Sequence, residues 1–193
     1  MSLTARISGS VGAILLAMAI ASVVPQARAD DHLASGLGIQ KPKEQVEAPN
    51  VIGTDPDGNT IRLQDFRGKV VFLNFWATWC IPCRLEMPAM ERLYQAFKGQ
   101  GFVVLAVNVQ EGTGPVRAFV RELKLTFPVV LDPKGTAAMA YAVRGLPATY
   151  LIDRSQIIVG RAIGARRSPQ VRVGRQLVQH EIRNVGTGNA HPD

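Results

Sequence analysis

The chain has 193 residues, of which 47% are hydrophobic and 19% are charged, so it can bury a core and is not expected to be disordered throughout. Its formal net charge is +7, but the basic residues are scattered. The densest group, between Arg161 and Arg175, contains no interleaved aromatic residues, so the sequence does not favour a nucleic-acid partner.

Residues 1–29 have the pattern of a secretory signal. An apolar run over 11–24 precedes Ala27-Arg28-Ala29, which matches the small-x-small pattern that signal peptidase recognises. This predicts cleavage before Asp30 and a periplasmic or otherwise extracytoplasmic location. The uncharged stretch extends over 7–27, however, so an uncleaved membrane anchor that keeps the domain outside the cytoplasm stays open as the alternative.

The remaining chain divides into three parts. Residues 30–48 contain no aromatic residue and little periodicity, which predicts a flexible spacer. Residues 49–185 carry the strand and helix signals of one domain, and residues 186–193 predict a disordered tail.

The first half of the domain begins with a hairpin and continues with strand and helix in alternation. Two β-rich stretches flank Asp55-Pro-Asp-Gly-Asn and predict a hairpin over 50–63. Continuous apolar runs predict buried strands, and amphipathic stretches predict helices. In chain order these are a strand over 68–76, a helix over 80–98 that Pro88 should kink, a strand over 101–109 and a helix over 114–125.

The second half of the domain supplies shorter elements. The pattern predicts, in order, a brief strand over 127–132, a short helix over 136–143, a hairpin of strands over 148–153 and 156–164, and a closing helix over 168–182. The strand–helix–strand order implies parallel strands, and the closing hairpin adds antiparallel ones. The fold class is therefore α/β, with a central mixed sheet flanked by helices and an N-terminal β-hairpin.

Both cysteines lie in one motif, Cys80-Ile-Pro-Cys83. A zinc site needs more ligands than two thiols, and none of the three histidines has ligand spacing to another, so we predict no metal. Covalent haem attachment needs Cys-x-x-Cys-His, and Arg84 occupies the histidine position. A purely structural disulfide would close a very small loop and contribute little stability. The motif therefore favours a redox-active pair, with no cofactor beyond the disulfide itself.

The position of the motif gives the two thiols different roles. Cys80 falls where the strand ends and the helix begins, so its sulfur meets unpaired backbone N–H groups that favour the thiolate. Cys83 lies one turn later and is close enough to resolve a mixed disulfide. Pro82 removes one N–H and limits backbone freedom between the two sulfurs.

The stretch NFWATWCIPCRLEMP, followed by GLPATYLID, resembles the thioredoxin superfamily. More narrowly, it resembles the exported TlpA/ResA-like thiol–disulfide oxidoreductases, which include cytochrome c maturation reductases. The resemblance covers residues 46–185 and implies a thioredoxin-like fold. It implies that Cys80 is the attacking thiol, and that Pro147 follows a cis peptide bond and faces the pair. The backbone of Leu146 would then be available to an extended segment of the partner, and Trp79 would shield the thiols and contact partners.

One position departs from ordinary thioredoxin. Thioredoxin has a buried Asp in the strand before its motif, whereas the matching residue here is Asn74, which cannot take a proton. Glu86 resembles the acid that the ResA-like branch carries one turn after the second cysteine. We therefore expect Glu86 to have a raised pKa and to exchange a proton with Cys83. Glu111 also resembles a family position near the active site, without an assigned role.

These features predict an extracytoplasmic enzyme that reduces disulfides in selected proteins, with cytochrome c maturation or metal-site assembly as candidate settings. Its expected partners are protein dithiols and disulfides and a membrane thiol electron donor. A membrane contact is expected only if the N-terminal segment stays uncleaved. The alternative is a thioredoxin-fold copper metallochaperone that binds metal through Cys80 and Cys83, for which Met87 and Met90 are the candidate further ligands.

Overall fold

The apolar runs of the sequence form the centre of a mixed β-sheet. The computed structural model describes residue 40, residues 42–164 and residue 179. The predicted signal, most of the spacer, the tail and, apart from residue 179, the closing helix lie outside the described residues. Within the described part of the chain, no helix is long and apolar enough to cross a membrane.

The described residues contain eight strands. These are β1 (Val46–Glu47), β2 (Ile52–Thr54), β3 (Thr60–Arg62), β4 (Val70–Trp76), β5 (Phe102–Val109), β6 (Val129–Asp132), β7 (Ala148–Ile152) and β8 (Ile157–Ile163). Their order in the sheet is β1-β8-β7-β4-β5-β6-β2-β3. The pairs β4–β5 and β5–β6 are parallel and the others antiparallel, so the predicted mixed sheet is confirmed.

Helices cover both faces of this sheet, as predicted. The described helices are α1 (Ile81–Phe97), α2 (Thr113–Glu122) and α3 (Thr136–Ala140). The apolar faces of α1 and α2 pack on one side, and α3 packs on the other. Since β4 and β5 lie between these two layers, their side chains are buried on both faces, and this explains why their sequences are continuously apolar.

The predicted N-terminal hairpin is formed by β2 and β3. The carboxylate of Asp55 accepts hydrogen bonds from the backbone N–H groups of Asp57 and Asn59, both at 2.8 Å, and Gly58 supplies a left-handed φ of 94°. One residue pair, Thr54 with Leu131, joins the hairpin to β6. The hairpin therefore extends the sheet at the edge opposite β1.

The sheet begins earlier in the chain than the predicted domain boundary at residue 49. Val46 and Glu47 pair with β8, and Gln40 forms a bridge to Arg161 of the same strand. The end of the predicted spacer thus supplies an edge strand. Two residues are too few to show the alternation of apolar and polar side chains by which a strand is predicted.

Candidate active site

The site is built where β4 ends and α1 begins. Cys80 is the residue that caps the N-terminus of α1, and Pro82 lies in the first turn of that helix. The sulfurs of Cys80 and Cys83 form a disulfide, and the backbone N–H of Cys83 donates to the Cys80 sulfur at 3.3 Å. A sulfur in this position faces the positive end of the helix dipole, so the geometry favours a thiolate on Cys80 once the disulfide is reduced.

The two sulfurs differ in their access to solvent. Cys80 retains 5% of its surface, whereas Cys83, in the first turn of α1, is completely buried. An outside thiol or disulfide can therefore approach Cys80 and not Cys83.

Large apolar side chains stand exposed around Cys80. Trp79, Ile81 and Leu85 are 69%, 70% and 77% exposed, although each is a residue type that is usually buried. Trp76, by contrast, is fully buried in the core and contacts Phe119 with 4.9 Å between the ring centroids. The exposed side chains form an apolar rim beside the disulfide, which is typical of a surface that contacts another protein.

The peptide bond between Leu146 and Pro147 is cis, as the family resemblance implied. Pro147 immediately precedes β7, whose first residue pairs with Phe75 of β4, the strand that leads into the motif. The carbonyl of Pro147 accepts a hydrogen bond from the N–H of Gly164 at 2.8 Å. Among the described residues, the N–H and C=O of Leu146 have no backbone partner, so both can pair with an added segment.

Glu86 lies beneath the motif and contacts β4. Its carboxylate accepts a hydrogen bond from the side-chain amide of Asn74 at 2.9 Å, and the same amide donates to the hydroxyl of Thr149 at 3.1 Å. Burial raises the pKa of Glu86 to about 7, and the hydrogen bond from Asn74 opposes that rise. A carboxyl group with this pKa can both give and take a proton near neutral pH.

A second carboxylate holds the turn that precedes Cys80. Glu111 follows β5 and accepts hydrogen bonds from the backbone N–H of Thr78 at 2.6 Å and from the Thr78 hydroxyl. The buried side-chain amide of Asn108 donates to the same carboxylate at 2.7 Å. We call these three residues, Thr78, Asn108 and Glu111, the Thr78 clamp.

Arg84 contacts the same turn from the other side. Its guanidinium lies 3.4 Å from the carbonyl oxygen of Thr78 and 3.4 Å from the Glu122 carboxylate, and it lies over the Phe119 ring at 4.8 Å. Arg84 therefore joins the start of α1 to α2, and it is not a freely solvated side chain.

The structure brings the sequence-predicted site residues into two neighbouring groups. Trp79, Cys80, Pro82 and Cys83 lie at the start of α1, while Leu146 and Pro147 lie beside the end of β4, and Glu86 contacts that strand from below. Sequence reasoning did not assign partners to Glu111 or Asn74, because their contacts join residues 33 and 12 positions apart. The signals for Glu111 were its resemblance to a family position near the active site and its position just after a predicted buried strand.

The candidate copper ligands lie in the same buried cluster as the two cysteines. Met87 and Met90 lie on the buried face of α1 within the core, and they are 0% and 2% exposed. Within the described residues, no three His, Cys, Asp or Glu side chains cluster closely enough to hold a metal ion.

Comparison with known proteins places this geometry in a family. The model of the AhpC/TSA family matches residues 45–161. The chain is 42% identical over 142 residues to the thiol-disulfide oxidoreductase ResA of Bacillus cereus (strain ZK / E33L), an alignment that spans 72% of this chain and 82% of that protein. It is 39% identical over 142 residues to ResA of Bacillus subtilis (strain 168), covering 74% and 79% of the two chains.

Solved structures of thiol:disulfide exchange proteins are also similar to this chain. A crystal structure from Chlorobium tepidum, assigned as a thiol:disulfide interchange protein DsbE, superposes with a TM-score of 0.68 at 33% identity and covers 72% of this chain and 98% of its own. A secreted thiol-disulfide isomerase from Corynebacterium glutamicum superposes with a TM-score of 0.64 at 25% identity, covering 73% and 92%.

Proposed function

Since this chain belongs to the ResA-like thiol–disulfide oxidoreductases of the thioredoxin superfamily, we propose that it reduces disulfides in selected proteins outside the cytoplasm. One observation carries the proposal: Cys80 and Cys83 form a disulfide at the start of α1, with only Cys80 accessible, next to a cis-proline and an apolar rim. No cofactor is required, because the cysteine pair itself holds the two electrons.

The first step joins the enzyme to its partner. In the reduced protein, the Cys80 thiolate attacks one sulfur of the partner disulfide, and a mixed disulfide forms between them. The other partner sulfur leaves as a thiolate and takes up a proton. The helix N-terminus supports this step, since its N–H groups stabilise the attacking thiolate.

The second step releases the partner. Cys83 gives up its proton, and its thiolate attacks the Cys80 sulfur, which forms the internal disulfide and breaks the mixed one. The second partner sulfur leaves and is protonated, so the partner has gained two electrons and two protons. An external dithiol, which we propose to be a membrane thiol donor, must then reduce Cys80–Cys83 for the next cycle.

Glu86 is our candidate for the proton exchange at Cys83. It lies three residues further along α1, on the same helix face, and its pKa of about 7 lets it accept the Cys83 proton and return it. Asn74 orients the carboxyl group without titrating itself.

The rim and the cis-proline are our candidate docking surface. Trp79, Ile81 and Leu85 offer apolar contact beside Cys80, and the backbone of Leu146 offers hydrogen bonds to an extended partner segment. Pro82 and Pro147 fix the backbone on the two sides of this surface.

Trapping of mixed disulfides tests the assignment of the two thiols. Cys83→Ala should accumulate mixed disulfides with a partner because the second step is lost, and Cys80→Ala should accumulate none. In the reduced wild type, alkylation at neutral pH should modify Cys80 well before Cys83. Equal rates at the two thiols, or trapping by Cys80→Ala, would contradict the mechanism.

The location rests on the N-terminal sequence and on relatives such as the secreted isomerase of Corynebacterium glutamicum. Intact-mass measurement of the protein recovered outside the cytoplasm should give Asp30 as the first residue. Recovery of the full-length chain in the membrane fraction would instead support the uncleaved anchor.

A further inference from the structure

The turn before Cys80 depends on residues far away in the sequence. Within the turn, the N–H of Cys80 donates to the carbonyl of Ala77 at 3.2 Å. Every polar group of Thr78 is bound by another element: its N–H and hydroxyl by Glu111, and its carbonyl by Arg84. The position of Thr78 is therefore set from outside the turn.

Glu111 is itself fixed to the sheet. Asn108 is completely buried in β5, and its amide donates to the Glu111 carboxylate. Gln110, between them, has a φ of 57°, in the left-handed region that residues with a side chain rarely occupy, and its N–H donates to the carbonyl of Asp132 at 3.0 Å. An unfavourable backbone conformation that is retained beside an active site suggests a functional constraint on the next side chain.

Glu111 and Glu86 occupy different environments. Both side chains are partly buried, but Glu86 accepts one hydrogen bond, from Asn74, whereas the Glu111 carboxylate accepts three, all from Thr78 and Asn108. Among the described contacts, none joins Glu111 to either sulfur. Its influence on the chemistry must therefore pass through the turn that it holds.

We propose that Glu111 is a positioning residue for disulfide exchange, which holds Thr78 so that the neighbouring Trp79 stands exposed beside Cys80 in the orientation that a protein partner needs. This inference rests on the proposed function. It assigns to the Thr78 clamp a role in partner docking rather than in proton transfer. Cys80 keeps its own anchors, which are the bond to Ala77 and the start of α1.

The chain offers a matched control. Glu91 holds Thr126 in the same way, since its carboxylate accepts the backbone N–H at 2.9 Å and the hydroxyl at 2.6 Å. Glu91 lies on α1, eleven residues beyond Cys80. Loss of either carboxylate removes the same kinds of bond, but only Glu111 holds the turn before the disulfide.

The kinetic test uses the full mature chain and two probes: an oxidised peptide with one Cys-x-x-Cys disulfide, and Ellman's reagent as a small disulfide. For Glu111→Ala we expect KM for the peptide to rise about tenfold or more, because a displaced docking group weakens a productive complex. Its kcat and its rate with Ellman's reagent should stay within about twofold of wild type, since Cys80 itself is not displaced. Glu111→Gln should resemble wild type, since its amide can accept from the Thr78 N–H and donate to the hydroxyl, and Glu91→Ala should leave KM unchanged.

Fluorescence anisotropy of Trp79 tests the positioning role of Glu111 independently of the proposed function. In a Trp76→Phe background, Trp79 is the only tryptophan, and its fluorescence anisotropy should fall in Glu111→Ala but not in Glu111→Gln or Glu91→Ala. If the wild-type protein reduces no peptide disulfide, the proposed function is wrong. The anisotropy of Trp79 would still show whether Glu111 positions that side chain. Unchanged anisotropy in Glu111→Ala, an equal KM effect from Glu91→Ala, or equal impairment in Glu111→Gln would overturn the positioning role.

Discussion

Glu86 combines a neutral-range pKa with a position one helical turn from the buried sulfur. If its charge is coupled to Cys83, removing that charge lowers the cost of forming the Cys83 thiolate. We therefore expect Glu86→Gln to shift the thiol titration towards lower pH and to alter the pH dependence of disulfide exchange. A pH series of thiol alkylation checks this, with Glu47→Gln as a control that removes the same charge from the exposed edge strand. Superimposable curves for Glu86→Gln and wild type would exclude the coupling.

The same carboxyl group should make the stability of the oxidised protein depend on pH. Burial raises the pKa of Glu86 from 4.5 to about 7, so the folded state binds more protons than the unfolded state between these values. The contribution of protonated Glu86 to the free energy of unfolding is fully present below about pH 4.5 and is lost as the pH rises through 7. This loss is at most about 3 kcal/mol. Urea unfolding should show Glu86→Gln more stable than wild type at pH 8 and similar to it at pH 4. Parallel pH profiles for the two proteins would mean that Glu86 is not buried as described.

At the scale of elements, the attachment of the hairpin depends on one glycine. A Cβ at Gly53 of β2 would lie 2.5 Å from the backbone oxygen of Leu131 in β6 and 2.6 Å from a side-chain carbon of Val130, and no real Cβ sits that close. Gly53→Ala should therefore push β2 from β6 and cost about 1–3 kcal/mol of unfolding free energy, as overpacking does. Gly114→Ala is the control, since a Cβ there meets nothing within 4 Å. Equal unfolding midpoints for the two variants would contradict this account of the close approach.

The elements differ in how far the sequence specifies them. The strands β4 and β5, the start of α1 and the hairpin turn at Asp55 were predictable, because each follows from a local pattern of apolar runs, capping or turn residues. The strand order was not, since the contact of β2 with β6 depends on one residue pair 77 positions apart. The short edge strand β1 has no periodicity to detect.

The residues of the candidate site likewise differ in whether the sequence alone could predict them. The cysteine pair and its unequal roles follow from the motif and its place at a helix start, and the family resemblance supplies Pro147 and Glu86. The Thr78 clamp and the bond from Asn74 to Glu86 join side chains that only the folded sheet brings together. Local sequence therefore indicated which residues carry the sulfur chemistry, and tertiary structure was needed to find what holds them.

For the whole molecule, the reduction potential of the Cys80–Cys83 couple decides the direction of electron flow. We expect a value nearer the roughly −270 mV of thioredoxin than the roughly −120 mV of a strong oxidant such as DsbA, because the family that the sequence resembles includes cytochrome c maturation reductases. Equilibration of the protein with dithiothreitol buffers, followed by alkylation of free thiols, measures it. A value near −120 mV would reverse the proposed direction while leaving the thiol–disulfide chemistry intact.

The complete burial of Cys83 has a consequence for the catalytic cycle. Only the Cys80 sulfur can be reached from outside, so the electron donor and the protein substrate must react at the same atom. The two cannot form covalent adducts with the enzyme at the same time, and each must leave before the other arrives. Electrons therefore pass through this protein in alternating half-reactions, in which the substrate disulfide reacts only with the reduced enzyme and the donor dithiol only with the oxidised one.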